Sequence, residues 1–283
     1  MKVSFFPGCS LEGTAREFGE SIDAVCGMLD IQMQELPDWS CCGASSAHAT
    51  DEFLAVALPG RNLAIAERMG QDLVTPCAAC FSRLKAAEAA LQGKHADVPG
   101  VTWRGTIGVF HILEYMCREE FSGAIEQRVL TPLTGLNVLS YYGCLLVRPP
   151  RTTNAPHWED PVTLDHMMEK LGARSIFWPC KTECCGGSLV LTNLDITHRL
   201  VGRILETAQE TEADCIVTAC PLCQSNIDTR EEEIGSETGA PHNLPVFYFT
   251  ELMGLAFGHP DAKKWFRRHL VDPRPMLKQK GLL

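Results

Sequence analysis

The chain opens on a short apolar run, Val3-Ser4-Phe5-Phe6, which Pro7-Gly8 interrupts. This predicts a strand over 2–6. Beyond it, Phe18, Ile22, Val25 and Leu29 recur three or four positions apart, predicting an amphipathic helix over 12–29. A helical run over 63–69 leads into a strand over 72–75, and after Cys77 a further helical run covers 81–91. The alternation then restarts. A strand over 138–142 is broken by Gly143, a helix covers 200–209, a strand covers 215–218, and a helix begins near Leu222. Strands alternating with helices predict parallel α/β packing. The segments 95–105 and 231–244 are polar or contain Gly and Pro, and read as loops. A boundary near 131–136 divides the chain into an N-terminal half (1–133), a C-terminal half (134–260) and a basic tail (261–283).

The restart is a duplication, and cysteine makes it visible. Cys9, Cys41-Cys42 and Cys77-Ala78-Ala79-Cys80 form one set; Cys144, Cys184-Cys185 and Cys220-Pro221-Leu222-Cys223 form another. Four of the five pairs are offset by 143 residues, and Cys9 and Cys144 by 135. The flanks repeat as well. Leu73-Val74-Thr75-Pro76 aligns with Ile216-Val217-Thr218-Ala219, Gly43-Ala44-Ser45 with Gly186-Gly187-Ser188, and Val109-Phe110 with Val246-Phe247. Cys26, Cys117, Cys180 and Cys215 lie outside the repeat and read as small buried hydrophobes.

Composition narrows the explanation. Fourteen cysteines in 283 residues are about 5%, too few for a disulfide scaffold in a chain long enough to bury its own core. The apolar start is too short for an export signal, which predicts a cytoplasmic location with reduced thiols. No apolar run is long enough for a membrane span. The net charge of −10 argues against general nucleic-acid binding. Metal ligation is then the leading use for the duplicated thiols. All-thiolate ligation selects iron–sulfur or zinc. A structural zinc, like an ordinary iron–sulfur cube, is satisfied by four ligands. A fifth cysteine is therefore either spare or part of an unusual cluster. The first cysteine and the C-x-x-C of each set follow strands directly, at the strand ends where open α/β sheets place ligands. The helix after each C-x-x-C turns its N-terminus toward the thiols and favours thiolate. Gly43 and Gly186-Gly187 permit close backbone approach, and their amides could donate to sulfur.

The pattern of lone Cys, Cys-Cys-Gly and C-x-x-C resembles the cysteine-rich CCG-domain family. Phe6-Pro7-Gly8-Cys9-Ser10, Tyr142-Gly143-Cys144, Lys181-Thr182-Glu183-Cys184-Cys185-Gly186-Gly187 and Val271-Asp272-Pro273-Arg274-Pro275 look like the B-type subunit of heterodisulfide reductase. The resemblance spans essentially the whole chain. It implies two Rossmann-like CCG domains related by duplication, packed face to face. It implies two noncubane 4Fe-4S clusters, one on Cys9, Cys41, Cys42, Cys77 and Cys80, the other on Cys144, Cys184, Cys185, Cys220 and Cys223. It further implies an oxidoreductase that cleaves a disulfide such as CoM-S-S-CoB between the clusters, fed by a ferredoxin-like C-type subunit and a flavin-containing A-type subunit. Relatives with the same domains are electron-transfer subunits of dehydrogenases or quinone-linked complexes, so a relay without disulfide chemistry stays open. So does zinc in one of the two sites.

Other residues are weaker candidates. Arg148 and Lys181 flank the second set and could bind an anionic substrate or offset cluster charge. Tyr141, Tyr142, His48, His111 and His198 could carry protons, though packing or surface roles suit them better. The tail 261–283 carries seven Lys/Arg against Asp261 and Asp272. Trp265, Phe266 and Leu270 read as the apolar stripe of one terminal helix that packs on its own domain, with docking of an acidic partner as the alternative.

Overall fold

The computed structural model describes residues 1–93, 98–239 and 242–283. The first unit runs β1 (Lys2–Phe5), α1 (Cys9–Glu12), α2 (Arg16–Met28), β2 (Gln32–Glu35), α3 (Ala47–Thr50), α4 (Glu52–Met69), β3 (Leu73–Thr75), α5 (Ala78–Leu91), β4 (Val109–His111), α6 (Ile112–Met116) and α7 (Glu119–Arg128). The second runs β5 (Asn137–Tyr141), α8 (Pro150–Thr153), α9 (Thr163–Lys170), β6 (Arg174–Ser175), α10 (Leu194–Gln209), β7 (Cys215–Thr218), α11 (Pro221–Thr238), β8 (Val246–Tyr248) and α12 (Phe249–Ala256). The chain ends in α13 (Ala262–Trp265), a 3-10 turn over Phe266–Arg268, and α14 (Arg274–Gln279).

Each unit is a parallel four-stranded sheet, with strand orders β2-β1-β3-β4 and β6-β5-β7-β8. The registers repeat the duplication: Phe5 pairs with Val74, and its counterpart Ser140 with Val217. The central strands are buried on both faces, as parallel strands under helices must be. The units pack reciprocally. α2 lies on α12 and α6 on α9, so each sheet's helices are shared with the other. α5 of the first unit touches α8 of the second, and α11 of the second touches α1 of the first. This turns the C-terminal ends of both sheets toward one another.

Three expectations need correction. The helix expected over 12–29 is interrupted at 13–15, where Gly13 ends α1. Its apolar stripe is as expected, with Phe18, Ile22, Val25 and Leu29 all buried. The loop expected over 231–244 is helical as far as Thr238, because α11 continues until Gly239 takes a left-handed φ of +72°. Residues 240–241 of it lie outside the described residues, as do 95–97 of the loop expected over 95–105; residues 98–105 carry neither helix nor strand. The tail is not one helix. Trp265 and Phe266 are buried, but Leu270 is 68% exposed. The chain leaves helical geometry at His269, which turns inward to a buried ion pair with Glu251 at 2.9 Å. The Asp228 carboxylate then caps the freed amides of Leu270 and Val271 at 2.9 and 3.1 Å. Several of the tail's cations are paired within the chain: Arg268 with Glu20, Arg274 with Asp272 and Lys280 with Asp214.

Candidate functional site

Four of the six cysteine segments sit at strand ends. Cys9 begins α1 just past β1, and Cys77 caps α5 just past β3 with Cys80 in its first turn. In the second unit Cys144 follows β5, and Cys220 caps α11 just past β7 with Cys223 behind it. Cys41-Cys42 and Cys184-Cys185 come from the coils before α3 and α10. The turns need glycine. Gly8 and Gly143 hold φ of +69° and +65°. A Cβ there would meet the sulfurs of Cys80 and Cys223 at 3.0 and 2.8 Å. Only a residue without Cβ lets the strand-end turn approach the thiols this closely.

The sulfurs form one network across both units. Cys42 Sγ lies 3.2 Å from Cys80 Sγ, and Cys185 Sγ 3.7 Å from Cys223 Sγ. Cys77 hydrogen-bonds Cys80 within its unit and Cys220 across the duplication. Cys144 hydrogen-bonds Cys184, and Cys9 lies in the field of Cys41 and Cys42. The structure thus brings all ten repeated cysteines together. Cys9 and Cys41 are exposed and Cys144 and Cys184 half-buried, while the other six are buried. Among the described residues, no three His, Cys, Asp or Glu side chains converge as they would on one metal ion. A cluster of several irons asks for thiols around a wider object.

Protonation follows from these contacts. A hydrogen bond from Cys80 holds the Cys42 thiol down at about 7, against the penalty of burial. A hydrogen bond from Cys144 holds Cys184 down at about 6, helped by the Gly186 amide. That amide lies 3.3 Å from Cys184 Sγ, and Gly43 makes the same contact to Cys41 Sγ at 3.4 Å. The amide donation expected after each Cys-Cys is therefore present in both copies. Cys220 is pushed well down by Cys223 and Cys77, and also by the amide of Ala78, the first residue of α5 in the other unit. Thiolate is the form that binds metal. The donor set, the glycine cradles and the amides aimed at sulfur fit an iron–sulfur cluster in each unit.

Of the remaining cysteines three are core residues, as expected, whereas Cys117 is half-buried at the edge of the core. Cys26, Cys180 and Cys215 are nearly inaccessible within the hydrophobic core. Burial pushes the thiols of Cys26 and Cys117 up to about 12.

Lys181 is a structural clip. Its Nζ sits between Asp160 and Asp165 at 3.0 and 3.1 Å, and Asp165 also accepts from Tyr142 Oη at 2.8 Å. Its carbonyl accepts from the amides of Tyr142 and Gly143, fixing the turn before Cys144. Arg148 donates to Thr182 Oγ1 at 2.8 Å, and its buried Nε has no partner among the described residues. Tyr141 donates to the carbonyl of Glu183 at 2.7 Å. His48 lies beside the Gly43 carbonyl, and His198 pairs with Glu233. His111 is fully buried next to Pro76. Sequence reasoning missed Arg83, half-buried in the field of Cys42. Its place three residues after Cys80, on one helix face, was the available signal. A cleft of 150 Å³ between the units is lined by Phe81, Leu113, Tyr142, Leu146, Val147 and Thr163; none of the repeated cysteines lines it.

Comparison with known proteins places this geometry among relatives. The cysteine-rich domain model, CCG, matches residues 3–85 and 138–228. The chain is similar to the 8-methylmenaquinol:fumarate reductase membrane anchor subunit of Wolinella succinogenes, 30% identical over 96% of this chain and 97% of that one. It is also similar to the B-type subunit of the ferredoxin:CoB-CoM heterodisulfide reductase of Methanosarcina mazei, 30% identical over 91% of this chain and 89% of that one. A protein of Archaeoglobus profundus that is itself described as like the B-type subunit of heterodisulfide reductase is 25% identical over 93% of each. Among solved structures, a hypothetical protein from Helicobacter pylori superposes with a TM-score of 0.73 at 10% identity. That match covers 96% of this chain and 52% of that one, and shows the fold alone. Among the described residues no helix is long and apolar enough to cross a membrane.

Proposed function

The chain belongs to the cysteine-rich CCG domain family, in which the B-type subunit of heterodisulfide reductase is a relative over most of its length, and on that premise we propose that it is the iron–sulfur subunit of a heterodisulfide reductase-like complex. Cys9, Cys41, Cys42, Cys77 and Cys80 would hold one noncubane 4Fe-4S cluster, and Cys144, Cys184, Cys185, Cys220 and Cys223 the other. The substrate would be a small-molecule disulfide, CoM-S-S-CoB or a related one. The observation that carries the reading is the contact between Cys77 and Cys220 across the duplication. It supports two electron carriers side by side, which suits an acceptor needing two electrons. When bound, the clusters would supply those electrons, and a disulfide then takes up two protons to leave as two thiols.

The chain's own residues have definite parts in this. The lowered thiols of Cys42, Cys184 and Cys220 favour loading, since ligation releases protons. The amides of Gly43, Gly186 and Ala78 offset negative charge on sulfur, and Arg83 adds a cation beside Cys42. Electrons would arrive from a ferredoxin-like C-type subunit fed by a flavin-containing A-type subunit. Anaerobic purification should yield about eight irons per chain and no zinc. With a reduced donor and a disulfide, two thiols should form for every two electrons consumed. Cluster turnover without thiol would overturn the disulfide reading.

The quinol:fumarate reductase relative, matched over 97% of its length, favours a second reading. Here the chain relays electrons in a quinone-linked complex. Oxidation of the reduced clusters by a menaquinone analogue, with no thiol formed from any disulfide, would select it. Zinc in one site with iron in the other is the mixed alternative that elemental analysis decides.

A further inference from the structure

His111 ends β4 and is fully buried. Its Nδ1 accepts the Leu113 amide at 3.2 Å, so the proton sits on Nε2. That N–H donates to the carbonyl of Pro76 at 3.0 Å. The backbone carbonyl of Ala219, in the other unit, also faces this ring and can share that N–H. Pro76 immediately precedes Cys77, and Ala219 immediately precedes Cys220. These are the two cysteines whose thiols meet across the duplication. We infer that His111 is a positioning residue that ties the two C-x-x-C turns together and sets the separation of the two metal sites. The inference rests on the proposal that each cysteine set holds a cluster.

Two observations support it. An Nδ1 that accepts a backbone amide carries no proton, so the ring is neutral and acts by geometry. The duplication also breaks at this point. The equivalent residue in the second unit is Tyr248, which stacks on Phe18 at 4.2 Å and donates to Gln224 at 3.1 Å. The two turns therefore do not have a matching pair of clamps. One ring from the first unit reaches both, and its edge-on contact with Phe81 at 5.9 Å fixes its plane.

The test uses the loaded protein in a state where both centres are paramagnetic. His111→Phe keeps the ring and its contact with Phe81 but removes the donor. Iron content should stay at the wild-type level while the dipolar broadening between the two centres is lost or shifted. His111→Gln, whose amide N–H reaches the position of Nε2, should restore it. A Phe variant with full iron and unchanged broadening would overturn the inference. If the Phe variant loses iron or fails to fold, the Gln variant decides: wild-type broadening supports the inference, and failure alongside Phe overturns it. If the wild-type protein binds no iron, the proposed function fails, yet His111 is still testable. Diamide takes two electrons and two protons from a pair of thiols, joining them and becoming a hydrazine. Mass spectrometry should find Cys77 joined to Cys220 in the wild-type chain and a loss of that link in His111→Phe; equal yields would overturn the inference.

Discussion

Individual residues decide how tightly the chain can close on its cofactors. Gly143 is the sharpest case, with φ of +65° and a Cβ position only 2.8 Å from Cys223 Sγ. Gly143→Ala adds left-handed strain of about 1–2 kcal/mol and forces a ligand sulfur aside. We expect iron per chain to fall by about half, all from the second set, because each proposed cluster would account for about four irons. Iron analysis with EPR checks this, and full iron in both sites would refute it. His269 offers a second test, of stability. Burial alone would lower its pKa, but the Glu251 carboxylate at 2.9 Å, with Asp228 and Glu17, raises it to about 9. A histidine raised in the folded state stabilises fully below its unfolded value of about 6.5, and the contribution is lost as pH rises through about 9. The largest loss is about 3 kcal/mol at about 1.4 kcal/mol per unit. Glu231, raised by burial to about 8, makes stability fall with pH in the same direction, so the comparison must be with His269→Gln. Melting temperature should drop more steeply between pH 6.5 and 9 in wild type than in that variant. Parallel profiles would mean that the pair stores no such energy.

At the scale of elements, the same substitution can have opposite signs. Gly27 lies inside α2, and a Cβ there would meet nothing within 4 Å among the described residues. Gly27→Ala should stabilise by about 0.5–1 kcal/mol through helix propensity. Gly254 lies inside α12, where a Cβ would meet the Trp265 ring at 2.5 and 2.8 Å. Overpacking of this kind costs about 1–3 kcal/mol, which outweighs the propensity gain. Gly254→Ala should therefore lower the melting temperature while Gly27→Ala raises it; changes of the same sign would refute the packing argument. The contrast also explains what was legible from sequence. Period and punctuation located β1, β3, β5 and β7 to within a residue or so, because buried parallel strands and strand-end glycines are local features. The constant 143-residue offset carried the reading from one unit to the other. The course of the tail was not legible, because it depends on Glu251 and Asp228, partners distant in sequence. Lys181 was open to a substrate role because its neighbours Asp160 and Asp165 lie 21 and 16 positions away and only the fold gathers them. The extension of α11 past residue 231 was hidden by polar residues that suit a solvent-facing helix as well as a loop.

Considered whole, the molecule has two sheets whose C-terminal ends meet, and the two cysteine sets touch through Cys77 and Cys220. The sets are not equivalent. Cys9 and Cys41 leave the first set open to solvent, whereas the second presents only the half-buried Cys144 and Cys184. Their junction is narrow: Cys220 takes a hydrogen bond from Cys77 and another from the Ala78 amide, both in the opposite unit. Removing Cys220 should therefore reach across the junction, while removing Cys184, whose partner Cys144 lies in its own unit, should not. Both Cys184→Ala and Cys220→Ala should cost the second set its iron, about half the total. Only Cys220→Ala should also change the EPR signal and midpoint potential of the first set, because it withdraws the partner of Cys77 and leaves the N-terminus of α5 facing a cavity. Titrating both variants against the wild-type protein separates the cases. If the first set is indifferent to the loss of Cys220, the two packed units hold independent metal sites, and the coupling that suits them to a two-electron acceptor does not exist.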